Sequence, residues 1–293
     1  MSAKENTSRQ RTVAVIDVGT TSVRMAIAEI SPAGIIQILE HLSQAVNLGK
    51  DTFTRGRIDR DTIEECVQVL KSYQQILGEY GIQSSDDLRV VATSAVREST
   101  NRLAFLDRIY IATGIEIDPM DEAEISRITY LGIQAELERL GTSTDTVVCE
   151  VGGGSTELLL VRNGQIQISH TYNLGSLRLR KAVDTYNAPI VQSRQLMESQ
   201  IRRTIDMFHE QMPVGQQRNL VALGGDIRFA ASQLLDDWSI IEGGVVSTDA
   251  LEEFTNDILK MSLENIVRKL RTASDSSGSR DSRPGLAYLS LYR

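Results

Sequence analysis

Residues Val147 to Leu160 read VVCEVGGGSTELLL, and their types and order suit the handling of phosphate. Three glycines lie between two apolar runs and are followed at once by Ser155, Thr156 and Glu157. Short runs rich in valine and leucine read as buried strands. Glycine lets the turn between them be tight and lets its backbone approach a ligand closely. Successive N–H groups in such a turn form a concavity suited to phosphate oxygens, and the two hydroxyls add donors. Glu150 and Glu157 bracket the turn, so one strand–turn–strand unit combines anion donors with carboxylates, as binding of phosphate, a metal and an activated water requires. A plain hairpin with a glycine-rich turn has the same pattern, and GGG alone does not separate the two.

A second stretch shifts the balance toward chemistry. Val13 to Ile30 reads VAVIDVGTTSVRMAIAEI. At one constant offset Asp17 falls on Glu150, Gly19 on Gly152, Ser22 on Ser155 and Arg24 on Glu157. Two such hairpins suggest a duplicated domain with a pseudo-twofold axis and two turns facing each other across a cleft; chance similarity of two hairpins is the competing explanation.

The elements that must position these turns follow from periodicity and punctuation. Strands are expected at 12–18, 22–30 and 34–45, then a polar loop at 47–57 and a helix over 59–80. The helix carries Ile63, Cys66, Val67, Leu70, Tyr73, Leu77 and Tyr80 on one face. In RVVATSAVREST (89–100) a short strand ends in hydroxyls and Arg97 before a helix over 101–113, an arrangement suited to an anion. A strand near 115–118 ends the first domain. A helix over 121–140 with an acidic first turn opens the second. After the GGG hairpin come a strand at 165–172, a short helix after Ser176 whose N-terminus could bind an anion, and helices at 190–211 and 248–270. Between those two helices, NLVALGGDIRFAASQL (219–234) reads as strand, glycine turn and helix, and TASDSSGSRDSRPG (272–285) as a polar loop.

Composition limits the function classes. The chain has 293 residues, enough for two domains with their own cores. A net charge of −8 argues against a dedicated nucleic-acid binder. The apolar runs fall far below the ~20 residues that a spanning helix needs. MSAKENTSRQR is not followed by an apolar signal-peptide core, so a cytoplasmic protein without membrane partners is expected. His41, His170 and His209 are scattered and show no metal-ligand spacing, Cys66 and Cys149 read as buried thiols, and no P-loop motif occurs.

DVGTTSVRM (17–25), VVATSAVRES (90–99), RITYLG (127–132), VGGGSTELLLV (151–161) and, more weakly, LGSLRL (174–179), in this order, resemble the exopolyphosphatase/guanosine pentaphosphate phosphohydrolase (Ppx/GppA) family of the actin–hexokinase–sugar kinase superfamily. The resemblance runs from Arg11 to Arg293 and implies an α/β fold. Two ribonuclease-H-like (actin-like ATPase) domains, with mixed sheets flanked by helices, would enclose an interdomain cleft. The expected boundaries are a disordered arm at 1–11, a first domain at 12–119 and a second at 120–293. Because LAYLSLYR stops part-way into the family's last helix, the second domain is expected to be cut short.

The resemblance also implies removal of terminal phosphate from inorganic polyphosphate or guanosine pentaphosphate with a divalent cation, usually Mg²⁺, and homodimers are common in the family. Carried over by position, Thr20, Thr21, Ser22, Arg24, Ser94 and Arg97 bind phosphate from the first domain, and Gly152, Gly153, Gly154, Ser155 and Thr156 from the second. Asp17 and Glu150 are the expected metal ligands, and Glu157 matches a glutamate proposed to position or activate the attacking water.

Four positions depart from the family pattern. Ile125 stands where the family's leading general-base glutamate belongs, leaving its neighbour Glu124, with Asp121 and Glu122 one turn away, as candidate bases. Glu150 replaces an aspartate, Thr21 an asparagine, and Asp226 puts an acid in the Gly-Thr turn region, where it would repel phosphate. An active phosphohydrolase, a catalytically impaired relative that binds polyphosphate or an alarmone as a regulator, and a kinase or ATPase of the same superfamily all remain as readings. The specific motifs favour the phosphatase branch.

Overall fold

In β1 (Arg11–Val18) buried Ala14, Ile16 and Val18 alternate with less buried Val13, Val15 and Asp17, the period-two pattern of a strand with one face toward a core. The computed structural model describes residues 10–141, 145–186, 190–212, 218–236, 238, 243–261 and 265. β1 pairs antiparallel with β2 (Ser22–Ile30), which pairs antiparallel with β3 (Ile36–Ala45). On its other side β1 pairs parallel with β4 (Leu88–Ala92), and β4 pairs parallel with β5 (Asp118–Pro119), giving the order β3-β2-β1-β4-β5.

The connections are α1 (Leu48–Arg55), α2 (Arg60–Glu79), the single turn α3 (Ser94–Arg97) and α4 (Arg102–Thr113). Ile16, Val18, Val23, Met25 and Ile27 of the sheet pack with Cys66, Val67, Leu70 and Tyr73 of α2 and with Phe105 and Ile109 of α4. Each such side chain contributes about 1.5–3 kcal/mol when fully buried. The Tyr73 hydroxyl donates to the Val23 carbonyl at 2.9 Å, so this large ring is buried without an orphaned polar atom.

This unit ends at Met120, and a second begins at Asp121. The second opens with α5 (Glu122–Gly132) and α6 (Gln134–Leu140), followed by β6 (Asp145–Val151), β7 (Thr156–Arg162) and β8 (Gln165–Tyr172). Then come α7 (Ser176–Tyr186), α8 (Ile190–His209), β9 (Arg218–Leu223), α9 (Gly225–Leu234) and α10 (Thr248–Lys260). The sheet order is β8-β7-β6-β9, with β9 parallel to β6 and the other pairs antiparallel. β7 is buried on both sides. Leu159 and Val161 pack with Ile133, Leu137 and Val148, while Leu158 and Leu160 pack with Phe208. That accounts for its uninterrupted apolar run.

The two sheets repeat one design. β8-β7-β6-β9 has the pairing of β3-β2-β1-β4, and the irregularities in β2 (Ile27/Ala28) and β7 (Leu160/Val161) coincide when Asp17 is laid on Glu150.

Three expectations need correction. Residues 48–55, expected as loop, form α1, because Leu48, Gly49, Thr52 and Phe53 bury one helical face and Gly56 closes it in the left-handed conformation. The helix expected over 121–140 breaks at Ile133, and Ile128 and Leu131, which with Ile125 are spaced as one apolar helical face in the sequence, are 46% and 49% exposed. The strand expected near 115–118 is only Asp118–Pro119. Residues 1–9, the 272–285 stretch and LAYLSLYR lie outside the described residues. No helix among the described residues is long and apolar enough to cross a membrane.

Candidate phosphate-binding turns and carboxylates

The GGG turn is held by the helix that follows β8. The Ser176 N–H donates to the Gly152 carbonyl at 3.0 Å, the Leu177 N–H to the Gly153 carbonyl at 2.9 Å, and Arg178 Nε to the Gly154 carbonyl at 2.7 Å. In a trans peptide the N–H points opposite to the carbonyl of the preceding residue. The N–H groups of Gly153, Gly154 and Ser155 therefore all point away from α7, forming the aligned donor set that an anion requires. The same bonds correct one expectation: the first N–H groups of α7 are occupied by the turn rather than open to an anion.

This packing admits only glycine at two positions. A Cβ on Gly175 would lie 2.5 Å from backbone atoms of Gly153 and Gly154. One on Gly224, whose φ is +121°, would lie 2.6 Å from the Val151 carbonyl oxygen. The turn is closed internally by the Gly152 N–H on the Ser155 carbonyl at 2.9 Å, and Ser155 and Thr156 are buried.

The first hairpin repeats this closure. The Gly19 N–H donates to the Ser22 carbonyl at 3.0 Å. The carbonyls of Thr20 and Thr21 accept from the N–H groups of Gly49 (2.8 Å) and Val46 (3.1 Å), so the N–H groups of Thr21 and Ser22 point the other way. Thr20 and Ser94 are buried, with their hydroxyls 3.4 Å apart, which joins the hairpin turn to the start of α3. Arg24 Nε donates to Ser22 Oγ at 3.2 Å. Asp17, the register partner of Arg24, carries an Oδ1 sealed from solvent. Arg97 donates through Nη1 to the Met120 carbonyl at 2.9 Å, which fixes its guanidinium beside the end of the unit.

Glu150 and Glu157 are register partners on β6 and β7, so both carboxylates leave the same face of the sheet. Glu157 is 4% exposed and accepts from Ser155 Oγ at 2.7 Å on Oε1. Glu150 accepts from Thr129 Oγ1 of α5 at 3.0 Å. The Cys149 thiol is pushed up to about 11, first by burial and then by the charges of Glu157 and Glu150. Asp226, in the first turn of α9, is pushed up to about 7 by burial, against the lowering effect of Arg228.

Ile125 lies one turn before Thr129, on the flank of α5 that reaches Glu150. Glu124 shares its stripe with the exposed Ile128 and Leu131, and its N–H is capped by Asp121 Oδ1 at 2.7 Å. No described contact brings Glu124 to Glu150 or Glu157. Asp121, also a candidate base, serves as the helix cap. Sequence reasoning passed over Thr129 and Arg178 as individual residues, although RITYLG and LGSLRL, which contain them, were visible as motifs.

Two mixed sheets of one design, each ending in an oriented turn beside a carboxylate, define the class as a two-domain α/β protein of the actin-like fold. A structure of the Aquifex aeolicus member of the Ppx/GppA family superposes with a TM-score of 0.72 over 97% of this chain and 88% of that one, at 23% identity. An exopolyphosphatase from Cytophaga hutchinsonii gives 0.75 over 96% and 88%, at 18% identity. At these identities the likeness establishes the fold alone. The sequence profile of the Ppx/GppA phosphatase family matches residues 9–274, and the chain belongs to that family.

Among individual relatives, the bifunctional 3-dehydroquinate synthase/phosphatase of Fusobacterium nucleatum is 30% identical over 57% of this chain, which spans only 25% of that protein. Exopolyphosphatase 2 of Mycobacterium tuberculosis is 26% identical over 73% of this chain and 67% of its own length.

Proposed function

We propose that this chain is a divalent-metal-dependent phosphohydrolase that releases terminal phosphate from inorganic polyphosphate or guanosine pentaphosphate. The observation that carries the reading is the GGG turn, whose carbonyls are taken by α7 so that three successive N–H groups face away beside a buried carboxylate. Phosphoryl transfer asks chiefly for positioning and for neutralisation of the equatorial oxygens. The Gly153, Gly154 and Ser155 amides supply donors, and Glu157, held by Ser155, is placed to orient a water. Membership of a phosphatase family and similarity to an exopolyphosphatase support the substrate class.

Asp17 and Glu150 are each a hard oxygen donor, at equivalent positions of the two hairpins, and no cluster of three metal-ligating side chains occurs among the described residues. Either carboxylate alone suits Mg²⁺, which is commonly held by one or two carboxylates together with substrate phosphates. When bound, the ion neutralises phosphate charge. A regulatory reading, in which the chain binds polyphosphate or an alarmone without turnover, is favoured by one feature only: Ile125 sits on the flank of α5 nearest Glu150 and cannot take a proton.

Phosphate release from polyphosphate and guanosine pentaphosphate, with and without Mg²⁺, separates the two readings. The hydrolytic reading expects Mg²⁺-dependent release that falls about 10²-fold or more in Glu157→Gln. Measurable binding with release no higher than in that variant would establish the regulatory reading instead. Ile125→Glu is expected to raise the rate about tenfold or more if that position limits proton transfer; an unchanged rate means that it does not.

A further inference from the structure

A threonine hydroxyl inside a helix commonly returns to the carbonyl one turn earlier. Thr113 of α4 does so on Ile109 and Thr255 of α10 on Leu251, each at 2.8 Å. Thr129 of α5 instead reaches out of its helix and donates to Glu150 Oε2 on β6 at 3.0 Å. The helix is fixed where it makes this bond. Ser126 Oγ lies 2.8 Å from Ser169 Oγ of β8, and the Tyr130 hydroxyl donates to the Gly164 carbonyl. The donor is therefore in place before any ligand arrives, as a preorganised site requires. Glu150 is the group that gains from it. Its long side chain leaves the sheet directly opposite Glu157, a like charge that pushes an untethered carboxylate aside. Both Thr129 and Glu150 are partly exposed. With Oε2 held, Glu150 Oε1 has no hydrogen-bond partner among the described residues and is not sealed from solvent. One oxygen tied and the other accessible is how an outer donor orients a carboxylate that binds a metal ion.

We propose that Thr129 is a positioning residue for the divalent cation: by holding Oε2 it presets the Glu150 carboxylate to take Mg²⁺ through its other oxygen. The inference rests on the reading of Glu150 as a carboxylate that holds Mg²⁺. A carboxylate already oriented loses less freedom when the ion arrives. Removing the hydroxyl therefore weakens uptake of the ion rather than the chemistry that follows it, and the effect passes through Glu150 alone.

Calorimetric titration of the full chain with Mg²⁺ in the presence of inorganic phosphate, alongside the Mg²⁺ dependence of phosphate release, tests this. Thr129→Val, which keeps the shape, and Thr129→Ala, which favours the helix, are each expected to raise the Kd for Mg²⁺ about tenfold. Saturating Mg²⁺ should recover most of the lost phosphate release, and Thr129→Ser should bind Mg²⁺ within about threefold of the wild type. In the Glu150→Gln background, Thr129→Val should add no further loss, because a residue that acts through Glu150 has nothing left to position. A wild-type Kd in the valine and alanine variants overturns the inference. So does an equal loss in the serine variant, which retains the hydroxyl, or a full further loss in the double variant. Phosphate release by a wild type whose Mg²⁺ affinity is unchanged in Glu150→Gln sinks this inference and leaves the hydrolytic reading standing. Mg²⁺ binding that depends on Glu150 and Thr129 in a chain that releases no phosphate sinks the hydrolytic reading and leaves this inference standing.

Discussion

Asp226 illustrates how one acidic side chain ties stability to pH. Burial raises its carboxyl from the ordinary 3.8 to about 7, with Arg228 pulling the other way. Between these two values the native chain keeps a proton that the unfolded chain has released. The native state binds more protons there, so stability falls as pH rises from about 4 to about 7 and is flat above that. Asp226→Asn should remove this slope. At pH 8 the variant should be more stable by up to about 4 kcal/mol, the linkage of about three pH units, and at pH 4 it should match the wild type. Thermal melts of both proteins across pH 4–8 check this, and parallel curves at all pH values would show that Asp226 does not titrate in that range. The same ionisation bears on the substrate. Asp226 lies two residues after Gly224, whose backbone lies against the Val151 carbonyl at the end of β6, so its charge develops at the end of the sheet that carries the phosphate turn. Glu150 and Glu157 on β6 and β7 add negative charge at that end, and Arg228 on α9 opposes it.

At the scale of the elements, the phosphate turn is only as well placed as the helix that grips it. Gly175→Ala would drive a methyl into the backbone of Gly153 and Gly154, where no flexible side chain can yield. The expected cost is on the order of 1–3 kcal/mol in stability, together with loss of phosphate release. Gly78→Ala is the control: nothing lies within 4 Å of its Cβ position on the exposed side of α2, and the change should stabilise by about 0.5–1 kcal/mol with activity intact. Chemical denaturation and phosphate release on the two variants make the comparison. The hairpins themselves were legible in the sequence, since period-two burial in β1 and a glycine turn between apolar runs are local signals. The grip of α7 on the turn was not, because it depends on bonds between residues some two dozen positions apart. α1 was missed because half of its buried positions are Gly49 and Thr52, which carry no hydrophobic signal. The break at Ile133 was hidden by an apolar stripe through Ile128 and Leu131 that faces outward. The inward face instead uses Ser126, Thr129 and Tyr130, with Tyr130 bonded to the Gly164 carbonyl.

For the whole molecule, a chain of net charge −8 has no long-range attraction for a polyanion, so affinity must come from local donors and a cation. The duplicated design supplies such donors twice, with Asp17 in one hairpin and Glu150 in the other at equivalent positions. Duplication leaves open whether the two carboxylates serve one reaction or two separate binding events, and mutational coupling distinguishes these. Asp17→Asn and Glu150→Gln are each expected to weaken the Mg²⁺ dependence of phosphate release by about 10–100-fold, the usual cost of disturbing a metal-binding group. Residues that act as one unit give strongly non-additive losses, because once the first is removed the second has little left to support. If both carboxylates serve one reaction, the double variant should therefore lose little more than the worse single variant. Losses that multiply would mean that the two hairpins act independently, and the catalytic role would then fall to the second unit, where Glu157 lies.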